Sequence, residues 1–150
     1  SRLSADEAYL IIRGIRTLDV RLKAHYENTI KIINFLKKQK KIKEVLYPHN
    51  SGSKNYMMWK KYYSGATGLF SVVIQTKNKS SVLKFVNKLE LFGIGYSWGG
   101  FESLAIYHDM SKSRNFYKFR KDEHLVRIHV GLEDPQDLIA DLKNSLKNIK

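Results

Sequence analysis

Leu125-Val126-Arg127-Ile128-His129-Val130-Gly131-Leu132-Glu133-Asp134-Pro135 is the stretch that decides the fold class. From Val126 to Val130, apolar and polar residues alternate, which is the period of a strand with one covered face. Asp134-Pro135 then opens a helix: an aspartate can accept an early amide, and a proline at the first helical position loses no needed N–H. Leu138, Ile139, Leu142, Leu146 and Ile149 follow at mostly three- and four-residue spacing and form its apolar stripe. A strand running into an amphipathic helix predicts a sheet with helices packed on it. Arg127 and His129 share parity, so both side chains belong to the same sheet face. An arginine there is either a solvated surface residue or a planar fork for a carboxylate.

Working outward, the rest of the chain has the same alternation of elements. Ser4-Ala5-Asp6-Glu7 is a capping box. A helical stripe runs on from Ala8 through Ile11, Ile15, Leu18, Leu22, Tyr26 and Ile30 to Ile33 and Phe35. It predicts one long helix, bent at Gly14, or two helices meeting near Thr17-Leu18-Asp19. Arg13, Arg16, Arg21 and His25 read as its solvated face. Ile42–Tyr47 predicts a short strand ended by Pro48. Tyr56, Trp59, Tyr62 and Tyr63 predict a short helix whose aromatics belong to the core, base stacking being the other use of such a face. Leu69–Thr76 is the strongest strand, β-branched and nearly all apolar. Ser80–Leu89 predicts a helix with Val82, Leu83, Phe85, Val86 and Leu89 inward. Ser103–Tyr107 predicts a further strand, and 108–123, with Arg114, Lys118, Arg120 and Lys121, a polar loop. The expected fold is α/β: a long N-terminal helix, then a mostly antiparallel or mixed sheet with helices on one face.

Between two of these elements lies Gly95-Tyr96-Ser97-Trp98-Gly99-Gly100-Phe101-Glu102-Ser103-Leu104. Three glycines in six residues allow close backbone approach or positive φ. The serine and aromatics among them can line a small-molecule site, or form a tight turn with Trp98 over the core. Glu102, Glu133 and Asp134 are single carboxylates with capping or surface roles. No two-histidine metal spacing, phosphate loop or Ser-His-Asp order stands out.

Composition limits the remaining choices. At 150 residues and 43% hydrophobic, the chain is one globular domain able to bury a core. It has no cysteine, hence no disulfide, thiolate metal site or cysteine nucleophile. No apolar run reaches the roughly 18 residues of a membrane span, and the N-terminus has no signal-peptide pattern; a cytoplasmic location is expected. The formal net charge is +13, but the charges are spread. The densest run, Lys37-Lys38-Gln39-Lys40-Lys41-Ile42-Lys43, falls where a helix should end and where cations complement its dipole.

Two motifs carry a family resemblance. Tyr96-Ser97-Trp98-Gly99-Gly100-Phe101-Glu102-Ser103-Leu104, followed by Leu125–Asp134, closely resembles the pyridoxal-phosphate enzymes of cysteine and methionine metabolism. Gly14–His25 resembles that family's interdomain helix, and Gly52-Ser53-Lys54 with Gly65–Ser71 its first C-terminal-domain segments. The resemblance implies the C-terminal domain of a fold type I pyridoxal-phosphate transferase: residues 1–40 an interdomain-type helix, 41–150 the small domain. Tyr96 and Trp98, in place of the glutamate and leucine of the γ-branch, resemble bacterial cystathionine β-lyases, which split cystathionine to homocysteine, pyruvate and ammonia.

By the same resemblance, Arg127 holds the substrate α-carboxylate with Ser97 at the same end, and Tyr96 and Trp98 line the distal pocket. Pyridoxal phosphate belongs to the complete enzyme. Its imine lysine, ring-stacking aromatic and phosphate cup lie in a preceding large domain that this sequence does not include. Thr76-Lys77 does not match the lysine motif. The implied partners are that large domain, further copies in a homo-oligomer (a tetramer in the family) and a small amino-acid substrate. The chain alone is expected to bind no cofactor, to hold no catalytic or metal-binding residue and to be inactive. The competing class is a basic module that binds nucleic acid, or one that docks to a partner half. Specific nucleic-acid binding is not expected from spread lysines.

Overall fold

The computed structural model describes residues 2–110 and 119–150. Its elements in chain order are α1 (Ala5–Ile15), α2 (Leu18–Leu36), β1 (Ile42–Leu46), α3 (Tyr56–Tyr62), β2 (Leu69–Gln75), α4 (Lys79–Asn87), β3 (Gly93–Ile94), β4 (Leu104–His108), β5 (Glu123–His129) and α5 (Pro135–Leu146). The strands form one sheet in the order β1-β2-β5-β4-β3. All neighbours are antiparallel except β3 and β4. The mixed sheet is the expected one, and the most apolar strand, β2, lies inside it.

Side-chain alternation divides the sheet into two faces. Phe70, Val72 and Ile74 of β2 stand beside Ile128, Val126 and His124 of β5. Ala105 and Tyr107 of β4 continue the same face. On it pack Ile32, Ile33 and Leu36 of α2, Val82, Phe85 and Val86 of α4, and Leu138 and Leu142 of α5. Burying such side chains stabilises the fold by about 1.5–3 kcal/mol each. The opposite face carries the cross-strand row Ser71, Arg127 and Ile106.

The capping box forms: the Ser4 hydroxyl accepts from the Glu7 amide (3.2 Å), and the Glu7 carboxylate accepts from the Ser4 amide (2.7 Å). The N-terminal stripe makes two helices, separated at Arg16-Thr17. The Arg21 guanidinium donates to the Gly14 carbonyl at 2.7 Å across that break. Helix α1 buries no residue of its own, and Tyr9, Leu10, Ile11, Ile12 and Ile15 are all exposed. His25, expected on a solvated face, is instead buried, because its Nδ1 donates to the Val130 carbonyl at 2.7 Å.

Two further expectations are corrected. The aromatics of α3 are not core: Tyr56 and Trp59 are half-buried and stack on each other, while Tyr62 and Tyr63 are exposed. The helix is too short to bring all four to one covered side. Leu83 of α4 points outward, since α4 turns only Val82, Phe85 and Val86 to the sheet. Asp134 caps α5 as expected, accepting from the Gln136 amide at 2.7 Å. The polar loop expected over 108–123 lies partly outside the described residues, Arg114 and Lys118 included; His108 and Glu123 extend β4 and β5.

Phe85→Ala is expected to lower unfolding free energy in urea by about 3–5 kcal/mol. Leu83→Ala, two positions away on the outer side, is expected to stay within about 1 kcal/mol of wild type. Equal losses would show that α4 is not seated as described.

Candidate functional site

A parallel pair of neighbouring strands ordinarily needs a crossover of a dozen or more residues. Here β3 is two residues long, so nine residues (95–103) suffice to return from its end to the start of β4. Because β4 is antiparallel to β5, the start of β4 lies beside the end of β5, with Leu104 opposite His129. The loop is thereby brought over Arg127 and His129. These two residues point to one face, as parity requires.

Three contacts hold the loop there. The Arg127 guanidinium donates to the Tyr96 carbonyl, and its central carbon lies 5.5 Å from the Tyr96 ring centre. Its other N–H groups have no protein acceptor among the described residues. The His129 Nε2 is 3.2 Å from both the Gly99 amide and the Gly100 carbonyl. The Leu132 amide donates to the Phe101 carbonyl at 2.8 Å. Gly99 has φ +82°, a left-handed conformation that glycine takes without strain.

The far end of the loop is locked more tightly. The Ser103 hydroxyl donates to Glu133 (2.8 Å) and accepts from the Gly131 amide (2.8 Å), and the Ser103 amide donates to the same carboxylate (2.7 Å). Asn28 of α2 donates to the Glu133 carbonyl at 3.1 Å. A Cβ on Gly131 would stand 2.2 Å from the Phe101 carbonyl oxygen, so the close approach requires glycine. Glu133 is therefore half-buried and structural, in contrast to the capping or surface role read from the sequence; a lone carboxylate carries no local signal of such a contact. Ser103, Asn28 and His25 likewise carry no local signal of this site, because their partners are distant in sequence.

Ser97 is exposed, and Tyr96 and Trp98 are 63% and 65% exposed. Trp98 therefore does not cover the core. Arg127 itself is half-buried between Ser71 and Ile106. The arrangement presents one fixed cation, under an aromatic loop, on an open face. It can bind an anionic group from one side and flank it with apolar surface.

Behind the loop, the rings of His25 and His129 lie 5.2 Å apart. Burial holds His129 below the ordinary histidine range, more than the Gly100 carbonyl offsets, and the neighbouring His25 adds to the depression. The folded state thus resists protonation of His129 while the unfolded chain does not. Its contribution to stability is present above the ordinary value of 6.5 and is lost as pH falls from there toward the lowered value. His129→Gln is expected to flatten the fall in urea-derived stability as pH drops below about 6.5. An unchanged slope would mean that His129 titrates as in the unfolded chain.

Comparison with known proteins agrees with this architecture. A family model of Cys/Met metabolism PLP-dependent enzymes matches residues 1–147. The cystathionine beta-lyase of Escherichia coli K12 is 38% identical over 144 residues, covering 93% of this chain and 36% of that one. The L-alanine/L-glutamate racemase of Wolbachia pipientis wMel is 38% identical over 149 residues, covering 98% of this chain and 37% of that one. A Campylobacter jejuni crystal structure assigned as an O-acetylhomoserine (thiol)-lyase superposes with a TM-score of 0.78 at 31% identity, covering 96% of this chain and 32% of that one. The chain thus spans about a third of the length of these relatives. With a match over nearly its whole length and a fold type I neighbour, the chain belongs to the Cys/Met metabolism PLP-dependent enzyme family.

Proposed function

We propose that this chain is the substrate-recognition domain of a carbon–sulfur β-lyase acting on cystathionine. The observation that carries the reading is Arg127, half-buried on β5 and set against the loop that holds Tyr96, Ser97 and Trp98. Arg127 takes the substrate α-carboxylate, and Ser97 adds a neutral hydrogen bond at the same end. Tyr96 and Trp98 flank the extended thioether. The β-lyases among the relatives support this substrate. The racemase relative, equally similar at 38%, supports a second reading in which the same arginine holds a smaller amino acid.

The described residues do not fit a resident pyridoxal phosphate. Every described lysine is exposed, Lys77 included, whereas an imine-forming lysine is activated by desolvation or a neighbouring cation. The cofactor, which supplies the electron sink in this family, belongs in this reading to a separate large domain. The uncovered apolar side of α1 supports that arrangement: Tyr9, Leu10, Ile11, Ile12 and Ile15 expose the kind of surface a domain interface covers. The assembled unit is proposed to act as a homo-oligomer.

The test uses the complete enzyme, with this domain joined to its large domain. Arg127→Lys keeps the charge but loses the fork, so the substrate sits loosely. A loss of about 2–5 kcal/mol is expected, roughly thirtyfold or more in kcat/KM, with the fold unchanged. Ser97→Ala is expected to cost about tenfold or less. Near-normal turnover of Arg127→Lys would remove Arg127 from the site. D-alanine formed from L-alanine, with no pyruvate from cystathionine, would select the racemase reading.

A further inference from the structure

The lysine run that ends α2 does not stand alone in the folded chain. Lys38, Lys40 and Lys41 line a surface depression of about 510 Å³ together with Lys143 and Lys147 from the end of α5. The two groups are about a hundred residues apart in sequence and meet because α2 and α5 pack side by side. Gln39 and Leu146 complete the lining, which contains no carboxylate.

Helix capping does not occupy these ammonium groups. The last carbonyls of α2 are already bonded: Ile33, Phe35 and Leu36 accept from the Lys37, Lys38 and Gln39 amides at 2.9–3.1 Å. The Gln39 side chain adds a bond to Phe35. At the end of α5, Asn144, Ser145 and Leu146 accept from the Lys147, Asn148 and Ile149 amides. Among the described residues none of the five lysines is in an ion pair, and all are exposed. Lys147 reaches only the neutral Asn144 oxygen, at 3.0 Å. Five like charges around one hollow repel one another, and an anion seated there relieves that repulsion.

We propose that this depression binds a short run of phosphates, as found in a polyphosphate chain or a nucleic-acid backbone. With no aromatic in the lining, bases have nothing to stack on, so recognition is of phosphate alone and is blind to sequence. The site is separate from Arg127 and does not depend on the lyase reading.

The experiment measures binding of the chain to two probes across a salt series: fluorescein-labelled oligo-dT and linear inorganic polyphosphate of matching length. A slope of log affinity against log salt of about −3 is expected with oligo-dT. Replacing Lys38, Lys41 and Lys143 by glutamine is expected to weaken both probes about tenfold or more at low salt and to bring the slope to about −1. Replacing Lys23, Lys77 and Lys84 by glutamine, an equal charge change elsewhere, is expected to cost less than about threefold. Replacing Lys38, Lys41 and Lys143 by arginine is expected to retain binding, which separates lost charge from lost fold. Equal weakening by the two glutamine sets would reduce the effect to net charge and overturn the proposal. So would the absence of binding at low salt. Binding of oligo-dT but not polyphosphate, abolished by Tyr62→Ala with Tyr63→Ala, would place the contact on α3 and overturn it as well.

Discussion

The Ser103 hydroxyl is the point on which the geometry of the face depends. It accepts from Gly131 and donates to Glu133, and so joins the start of β4 to the chain just beyond β5. A half-buried carboxylate left without such donors would cost about 1–3 kcal/mol or more in unsatisfied desolvation. Because Glu133 takes both the hydroxyl and the amide of Ser103, the loop has one fixed end. Its other contacts, Arg127 on Tyr96 and His129 at Gly99-Gly100, then fall on fixed positions. Asn28 ties the same knot to α2, so the helix layer and the loop face are mechanically joined at the end of β5.

Much of the fold was legible because its signals are local. The Ser4-Glu7 box, the Asp134-Pro135 helix start and the β-branched run of β2 each specify their structure within a few residues. The parity of Arg127 and His129 was equally readable, since side chains alternate along a regular strand and β5 pairs without a bulge. Features that depend on long-range pairing were not. His25 resembles its charged neighbours on α2 until Val130, 105 residues away, supplies an acceptor. Tyr62 and Tyr63 have helical spacing but lie at the end of a seven-residue helix with little to pack on. The resemblance to the family rested on short motifs, and these carry Arg127 and the aromatic loop. It carried no information about Glu133 clasping Ser103, which only the folded backbone brings together.

In the reading proposed above, the division of labour between this domain and a large domain has a physical basis. In that reading this domain supplies a cation, a hydroxyl and two exposed aromatics, groups suited to holding an amphiphilic amino acid. Among the described residues no lysine is buried, and desolvation is one of the ways an amine is activated for covalent work on a carbonyl. A lyase and a racemase are both 38% identical to this chain over nearly its whole length. In the reading proposed above, a shared grip on an α-amino acid, with the reaction selected elsewhere, would account for that range.

The two ends of the sheet bear on how the chain behaves when produced apart from a partner. One edge strand, β1, has an irregular register between Ile42 and Glu44, with Lys41 just before it and Lys43 within it. The other, β3, has only two residues. Neither presents a long flat ladder on which another chain could template, so amyloid-like edge growth is blocked at both sides. A broad exposed apolar surface lies instead on α1. If the isolated chain self-associates, the contact is expected on α1 and not at a strand edge.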